Sequence, residues 1–223
     1  MDTKPPPSEA QRRAFILANT KRLTPPLVPE LSLHLAEESL PIWRKTEEEL
    51  GEAGLPPPYW AFAWAGGQAL ARYLLDNPAS VAGRRVIDLG TGSGLTAIAA
   101  ARAGAASVLA SDIDAYALTA VRLNASTNGV TVDVEPGDLL TGPPPPCDVL
   151  LVGDLFYERP LAERVLVALR DGLARGTVAY AGDPGRSYFP DRHFARVAEY
   201  SVPVTRELED AEIKRTAVWC FTG

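Results

Sequence analysis

Hydrophobic and polar positions divide the chain into two regimes. Before residue 58 the apolar residues are scattered among prolines, and Pro5–Pro7, Pro25–Pro26, Pro29, Pro41 and Pro56–Pro58 repeatedly fix φ and interrupt regular structure. Two stretches between them, Ser8–Arg22 and Ser39–Leu50, have the spacing of short helices, the second with Ser39 as N-cap and Pro41 in its first turn. From Arg84 onward, short apolar runs alternate with helix-length segments. Strands are predicted over Arg84–Leu89, Ser107–Ser111, Val130–Glu135, Asp148–Gly153 and Thr177–Ala181, and helices over Leu95–Ala103, Ala115–Thr127 and Leu161–Leu173. Two further β-rich stretches, Arg196–Val204 and Lys214–Phe221, close the chain.

Strands joined by helical crossovers require a mainly parallel sheet covered on both faces. The last two strands have only a short charged link between them, so they are expected to pair antiparallel. The organisation expected is an N-terminal helical extension over 1–57 and one α/β domain over 58–223.

Composition narrows the partners. A chain of 223 residues with 46% hydrophobic residues can bury one good core. Its 22 basic and 28 acidic residues leave a formal charge of −6, so no global positive field would attract a phosphate backbone, and nucleic acid is not expected as a partner. No apolar run reaches the ~20 residues that span a bilayer, and no signal-peptide core follows Met1, so a cytoplasmic protein with no membrane partner is expected. Cys147 and Cys220 lie far apart without metal-ligand spacing, which predicts free thiols and no metal site. A monomer is expected.

The chemistry concentrates where strands end. Asp88-Leu-Gly90-Thr-Gly92-Ser-Gly94 lies at a strand-to-helix turn, where glycines let the backbone approach a nucleotide-type ligand closely. Its spacing departs from the dinucleotide pattern G-x-G-x-x-G, and Asp88 would repel a pyrophosphate. An acid there suits the cationic amino-acid end of S-adenosylmethionine. Asp112, at the end of the second strand, is placed to accept both ribose hydroxyls, with Ile113 against one face of the adenine and Asp114 capping the next helix. After the third strand, Asp138 can accept from the adenine amine, or serve only as a turn residue. Gly153 precedes Asp154-Leu-Phe-Tyr157, at the end of the fourth strand and next to the expected reaction centre. Asp154 could orient an amine and stabilise the cation formed there, with Tyr157 as a wall or a hydroxyl donor; the alternative is that Asp154 only satisfies backbone donors. Upstream, Trp60 and Trp64 are either core anchors or aromatic walls beside a sulfonium ligand.

These segments resemble the seven-strand lysine methyltransferases with an Asp/Glu-x-x-Tyr/Phe motif after the fourth strand, and within them the branch that acts on the electron transfer flavoprotein β subunit. The resemblance is carried by Tyr59–Pro78, Val86–Ala101, Ser111–Asp114, Gly153–Glu158 and Gly182-Asp-Pro-Gly-Arg186, and more weakly by Arg196–Ser201 and Val218-Trp219. It implies a Rossmann-like class I methyltransferase fold with an antiparallel last strand. It also implies S-adenosylmethionine as cofactor, held by Trp64, Gly90 to Gly94, Asp112 and the backbone at Gly153; members of the family act in mitochondria or bacteria, and the absence of a presequence pattern with many Ala, Arg and Pro residues makes a bacterial source the expectation. Two departures touch the adenine end: Cys147 precedes the fourth-strand Asp148 where relatives carry an aromatic, and Leu139 and Leu140 follow the third strand where relatives again have an aromatic.

The implied activity is lysine methylation of the flavoprotein β subunit. Competing readings are a methyltransferase of this fold acting on a ribosomal protein or a small molecule, and a non-catalytic cofactor-binding module. Glu207, Glu209, Asp210 and Glu212, in the link between the last two strands, form a candidate docking rim for a lysine-rich loop.

Overall fold

The computed structural model describes residues 6–37, 57–204 and 212–223. In it the alternating region forms a seven-stranded sheet from β3 (Arg85–Leu89), β4 (Ser107–Asp112), β5 (Asp133–Pro136), β6 (Val149–Gly153), β7 (Val178–Asp183), β8 (Phe194–Pro203) and β9 (Ile213–Phe221), in the order β5-β4-β3-β6-β7-β9-β8. The pairs β3/β4, β3/β6, β4/β5 and β6/β7 are parallel, whereas β9 runs antiparallel to both β7 and β8. Strand order reverses at β3, which leaves a crevice between the carboxyl ends of β3 and β6 where such sheets bind ligands.

The apolar runs are continuous because both faces of the sheet are buried. Along β6, Val149 and Leu151 point into one core layer and Leu150 and Val152 into the other. Helices α2 (Ala65–Asp76) and α3 (Leu95–Arg102) supply Leu70, Leu74 and Ile98 to the first layer, and α5 (Arg159–Ala174) supplies Val165 and Leu169 to the second. Helix α4 (Ala115–Asn128) follows β4; Asp114 caps it, accepting from the Tyr116 N–H at 2.8 Å, and Gly129 ends it at φ 65°. Strand β5 begins three residues later than its apolar pattern suggests, after that left-handed cap. Strand β7 extends two residues further than the pattern suggests, because Gly182 and Asp183 pair with Val218 and Ala217 of β9.

In the extension, α1 (Glu9–Asn19) opens with a reciprocal cap between Ser8 and Gln11. It stops short of Arg22 because β1 (Lys21–Leu23) pairs antiparallel with β2 (Leu33–Leu35), so the extension is a helix and a hairpin in its described part rather than helices alone. Val28, Leu31 and Leu33 are fully buried in the same core layer as Leu70 and Leu74. Asn124 and Asn128 of α4 accept from the His34 and Ser32 N–H groups at 2.7 and 3.0 Å, satisfying backbone that the hairpin leaves unpaired.

The expected helix Ser39–Leu50 and three members of the acidic rim, Glu207, Glu209 and Asp210, lie outside the described residues. Both ends of the β8–β9 link are at the carboxyl edge of the parallel strands, joined by a 3.0 Å hydrogen bond from the Val204 N–H to the Glu212 carbonyl. Among the described residues no helix is long and apolar enough to cross a membrane, and no cluster of three metal-ligating side chains occurs.

Candidate active site

A cavity of about 550 Å³ opens at the carboxyl edge, over the crevice between β3 and β6. Ten of the twelve residues singled out from the sequence line it: Trp60, Trp64, Gly90, Gly92, Asp112, Ile113, Asp138, Gly153, Asp154 and Tyr157. Asp88 and Gly94 stand behind its wall.

The glycine turn shows why. Gly90, Gly92 and Gly94 have φ of 60°, 53° and 82°, in the left-handed region that residues with a Cβ avoid. Gly94 caps α3, and an added Cβ would crowd Val121 of α4 at 3.1 Å, so this glycine serves helix packing. Asp88 is 1% exposed and its Oδ2 accepts from Thr91 Oγ1, Thr96 Oγ1 and the Ala97 N–H at 2.6, 2.7 and 3.2 Å. It thus ties the turn to the first turn of α3. Burial pushes its carboxyl up to about 6, against the pull of those donors, and Oδ1 has no partner in the structure.

Asp112 ends β4. Its Oδ2 accepts from the Gly92 N–H at 2.9 Å and its Oδ1 from the Asp114 N–H at 3.0 Å, which locks the carboxylate between the two loops. Ile113 beside it is 72% exposed, an apolar side chain left bare at the cavity mouth. Asp138 Oδ1 accepts from the Leu140 N–H at 2.9 Å, and Oδ2 is paired with Arg164 of α5. Arg164 and the aliphatic pair Leu139 and Leu140 therefore enclose the end of the cavity where an adenine is expected.

At the other end, Asp154 is the only non-glycine among the described residues with positive φ, at 59°. A non-glycine held there is strained, and such strain clusters at functional sites. The surroundings fix it: its N–H donates to the Gly182 carbonyl at 3.0 Å, Oδ2 accepts from the Gly66 N–H at the start of α2, and Oδ1 is held by Arg186 Nε and an NH2 group, each at 2.7 Å. Gly66 and Gly182 meet backbone to backbone; a Cβ on Gly182 would lie 2.0 Å from the Gly66 carbonyl oxygen.

Aromatic rings complete the mouth. Tyr59 lies 5.9 Å from Trp64 and 5.6 Å from Tyr157, while Trp60 is buried and stacks 6.1 Å from Tyr116. Tyr157 is 38% exposed and burial of its hydroxyl end pushes its pKa up to about 12, with Tyr59 and Glu158 adding to the rise. It is a neutral phenol across the working pH range. From the sequence, Tyr59 and Arg186 stand out only as members of segments that carry the resemblance, and Arg164 does not stand out at all. Arg186 had a local signal, the glycine- and proline-bearing turn Gly182–Arg186, but Arg164 reaches the cavity only because α5 packs beside the loop after β5.

Asp183, at the end of β7, accepts from the Gly185 and Arg186 N–H groups at 2.7 and 2.8 Å through Oδ1, while Oδ2 is buried without a partner in the structure. Burial pushes this carboxyl up to about 7, and the nearby Asp154 charge adds to the rise. A carboxyl raised on folding binds its proton more tightly in the native state, so stability is expected to fall as pH rises from about 4 to about 7 and to level off above that. Urea unfolding across this range should show the decline in wild type and a shallower one in Asp183→Asn; equal slopes would remove Asp183 as its source.

The comparisons with known proteins fit this geometry. A family model described as ribosomal protein L11 methyltransferase matches residues 69–152, the glycine turn and the strands around it. A Thermoplasma acidophilum protein of known structure shares the fold at a TM-score of 0.52 and 20% identity, over 70% of this chain and 86% of that one. The electron transfer flavoprotein beta subunit lysine methyltransferase of Xenopus laevis is 40% identical over 215 residues, covering 94% of this chain and 86% of that protein. The chain belongs to that family. The human member is 36% identical over 216 residues, 94% of this chain and 81% of its own length, so the likeness extends well into the N-terminal extension. Membership makes the chain an enzyme of the protein-lysine methyltransferase class, on the seven-strand architecture with an antiparallel last strand that its pattern predicts.

Proposed function

We propose that this enzyme transfers methyl groups from S-adenosylmethionine to lysine side chains of the electron transfer flavoprotein β subunit. The observation that carries the reading is Asp154, held at positive φ where the cofactor cavity meets an aromatic mouth. The cavity fits the cofactor in three respects. Asp112 accepts one backbone N–H on each oxygen, which leaves each with acceptor capacity for a ribose hydroxyl. The bare side chain of Ile113 suits the face of a flat base, and Asp138 suits its exocyclic amine. Trp64 offers a ring to a sulfonium. S-adenosylmethionine, when bound, supplies the electrophilic methyl group.

The protein's own task is the amine. Free lysine, with a pKa near 10.4, is only about 0.1% neutral at pH 7, so the site must strip water from the side chain, hold its lone pair in line and stabilise the charge that appears on nitrogen. Asp154 Oδ2 accepts an amine N–H and lies close to the developing charge. Tyr59, Trp64 and Tyr157 form walls that exclude water, and the electron-rich faces of their rings favour a cation.

Purified enzyme with methyl-labelled cofactor, offered the flavoprotein β subunit and ribosomal protein L11 in parallel, is expected to label lysines of the β subunit. Label on L11 alone would move the activity to the reading that the match over residues 69–152 favours. Asp112→Ala is expected to weaken cofactor binding about tenfold or more, through loss of hydrogen bonds to a charged acceptor, with the fold retained. Calorimetric titration measures it, and an unchanged affinity would return Asp112 to a purely structural part in bracing the Gly92 loop.

A further inference from the structure

The end of the cavity away from Asp154 carries an ion pair between two segments distant in the chain. Asp138 follows β5 and opens a short turn: its carbonyl accepts from the Thr141 N–H at 3.1 Å and from Thr141 Oγ1 at 2.8 Å, and its Oδ1 accepts from the Leu140 N–H at 2.9 Å. Ser111 Oγ ties the turn to β4 by donating to the Gly137 carbonyl at 3.3 Å. Leu139, Leu140 and Leu161 pack against the second core layer, which docks α5 on this loop. Arg164 lies one turn after Leu161 on the same face of α5, and its guanidinium donates to Asp138 Oδ2. Both side chains line the cavity.

We propose that Arg164 is a positioning residue for the cofactor, fixing the Asp138 carboxylate so that the cavity selects a 6-amino purine. The inference rests on the reading of this cavity as the S-adenosylmethionine site made above.

The physical case begins with the freedom of the side chain. The terminal torsion of an aspartate is broad, and the single bond from Leu140 to Oδ1 leaves the carboxylate room to turn. Arg164 on Oδ2 removes that freedom. Each oxygen then has one donor and keeps lone-pair capacity for another. Burial would raise the Asp138 carboxyl, but Arg164 and the Leu140 N–H outweigh it and hold the group below the usual carboxylate range. A fixed, ionised carboxylate is an acceptor only. The 6-amino group of adenine can donate to it, whereas the 6-oxo group of hypoxanthine would set two acceptors against each other, each without the water it gave up. A site built to accept a ligand N–H rejects the analogue that lacks it.

Folding stability does not account for the pair. The Arg164 side chain is 44% exposed and that of Asp138 29%, and an ion pair that open to water adds little to stability. Nor does the turn need it, since the bonds from Leu140 and Thr141 to Asp138 close it without Arg164. What the guanidinium adds is a second fixed point on a carboxylate in the cavity wall, a wall that also carries the bare side chain of Ile113.

Calorimetric titration with S-adenosylhomocysteine and S-inosylhomocysteine, which carry a 6-amino and a 6-oxo purine respectively, tests the proposal. Wild-type enzyme is expected to prefer the adenosyl compound about tenfold or more, the scale of one hydrogen bond to a charged acceptor. Arg164→Gln and Arg164→Met, the second keeping the apolar stem, are each expected to reduce that preference to about threefold or less, mainly through weaker binding of S-adenosylhomocysteine. In an Asp138→Asn background, Arg164→Gln should leave the preference unchanged, because Arg164 acts through the carboxylate. A wild-type preference below about threefold overturns the proposal, as does the full wild-type preference in either folded Arg164 variant. Equal weakening of both compounds also overturns it, by making Arg164 a wall and no more. So does an undiminished effect of Arg164→Gln in the Asp138→Asn background, which would place the guanidinium on the base itself. If wild type binds neither compound, the cofactor reading fails and the proposal with it. An enzyme that shows the expected preferences but does not methylate the flavoprotein β subunit counts against the substrate reading alone, because these titrations need no protein acceptor.

Discussion

Replacing Asp154 with asparagine is expected to slow single-turnover methyl transfer by about 100-fold, with cofactor affinity kept within about threefold of wild type. That loss is the scale of removing one preorganised electrostatic partner from a developing charge. The contacts around Asp154 make the variant informative in a second way. The carboxylate serves Gly66 through one oxygen and Arg186 through the other, whereas an amide has one acceptor oxygen and must turn its NH2 toward one of those donors. Asp154→Asn should therefore also melt at a lower temperature, because a buried donor is left without an acceptor. The two effects separate when melting temperature, calorimetric cofactor affinity and single-turnover rate are measured on one preparation. A variant that is less stable but methylates at nearly the wild-type rate would show that Asp154 braces the strand end and does no more. Slow transfer by a folded, cofactor-binding variant supports a part in the reaction.

Gly182→Ala is expected to cost about 3 kcal/mol of stability, and in a chain of this length to lower the melting temperature by roughly 6–12 °C. The new Cβ would lie 2.0 Å from the Gly66 carbonyl oxygen and 2.9 Å from its carbonyl carbon. Both are backbone atoms of the first turn of α2, so no rotamer change relieves the clash and the helix must move away from β7. That movement would draw the Gly66 N–H from Asp154 Oδ2 and the Gly182 carbonyl from the Asp154 N–H, loosening the one strained residue at the cavity mouth. Activity should thus fall further than the folded fraction does. Gly83→Ala is the control: this glycine also has positive φ, at 70°, but a Cβ there meets no atom within 4 Å, so only the backbone cost of about 1 kcal/mol is expected. Equal losses in the two variants would mean that the Gly66–Gly182 contact is looser than its geometry indicates.

Much of the cofactor half was legible because it is written in local terms. A β-branched run ending in Gly90-Thr-Gly92-Ser-Gly94 specifies a strand, a left-handed turn and a helix start within a dozen residues, and the acid at the end of the next strand falls beside that turn whenever two parallel strands are neighbours. Asp112 and Ile113 accordingly line the cavity. Asp88, which the pattern suits to the cationic end of the cofactor through charge or bridging water, has its Oδ2 turned toward Thr91, Thr96 and Ala97 behind the wall. Direction along a strand is local, but which face of the sheet a residue points to depends on register and packing.

The other end of the cavity was legible as the motif Asp154–Tyr157 and the turn Gly182–Arg186, but not as two segments that meet. Its partners come from residues 66, 182 and 186, distant in sequence, and nothing about a lone arginine after Asp-Pro-Gly indicates that it closes on an aspartate 32 positions earlier. The extension had the same limit: its prolines and short helix were visible, but the pairing of Lys21–Leu23 with Leu33–Leu35 and the burial of Val28 and Leu31 were not.

By itself, then, the sequence determined the order of strands and helices, the glycine turn and the acids that follow it, because periodicity and backbone conformation act over a few residues. Tertiary structure decided the strained setting of Asp154, the backbone contact of Gly66 with Gly182 and the Arg186 guanidinium on the Asp154 carboxylate. Those depend on segments that meet only after the sheet has assembled, where close packing and the cost of an unpaired buried charge select one arrangement.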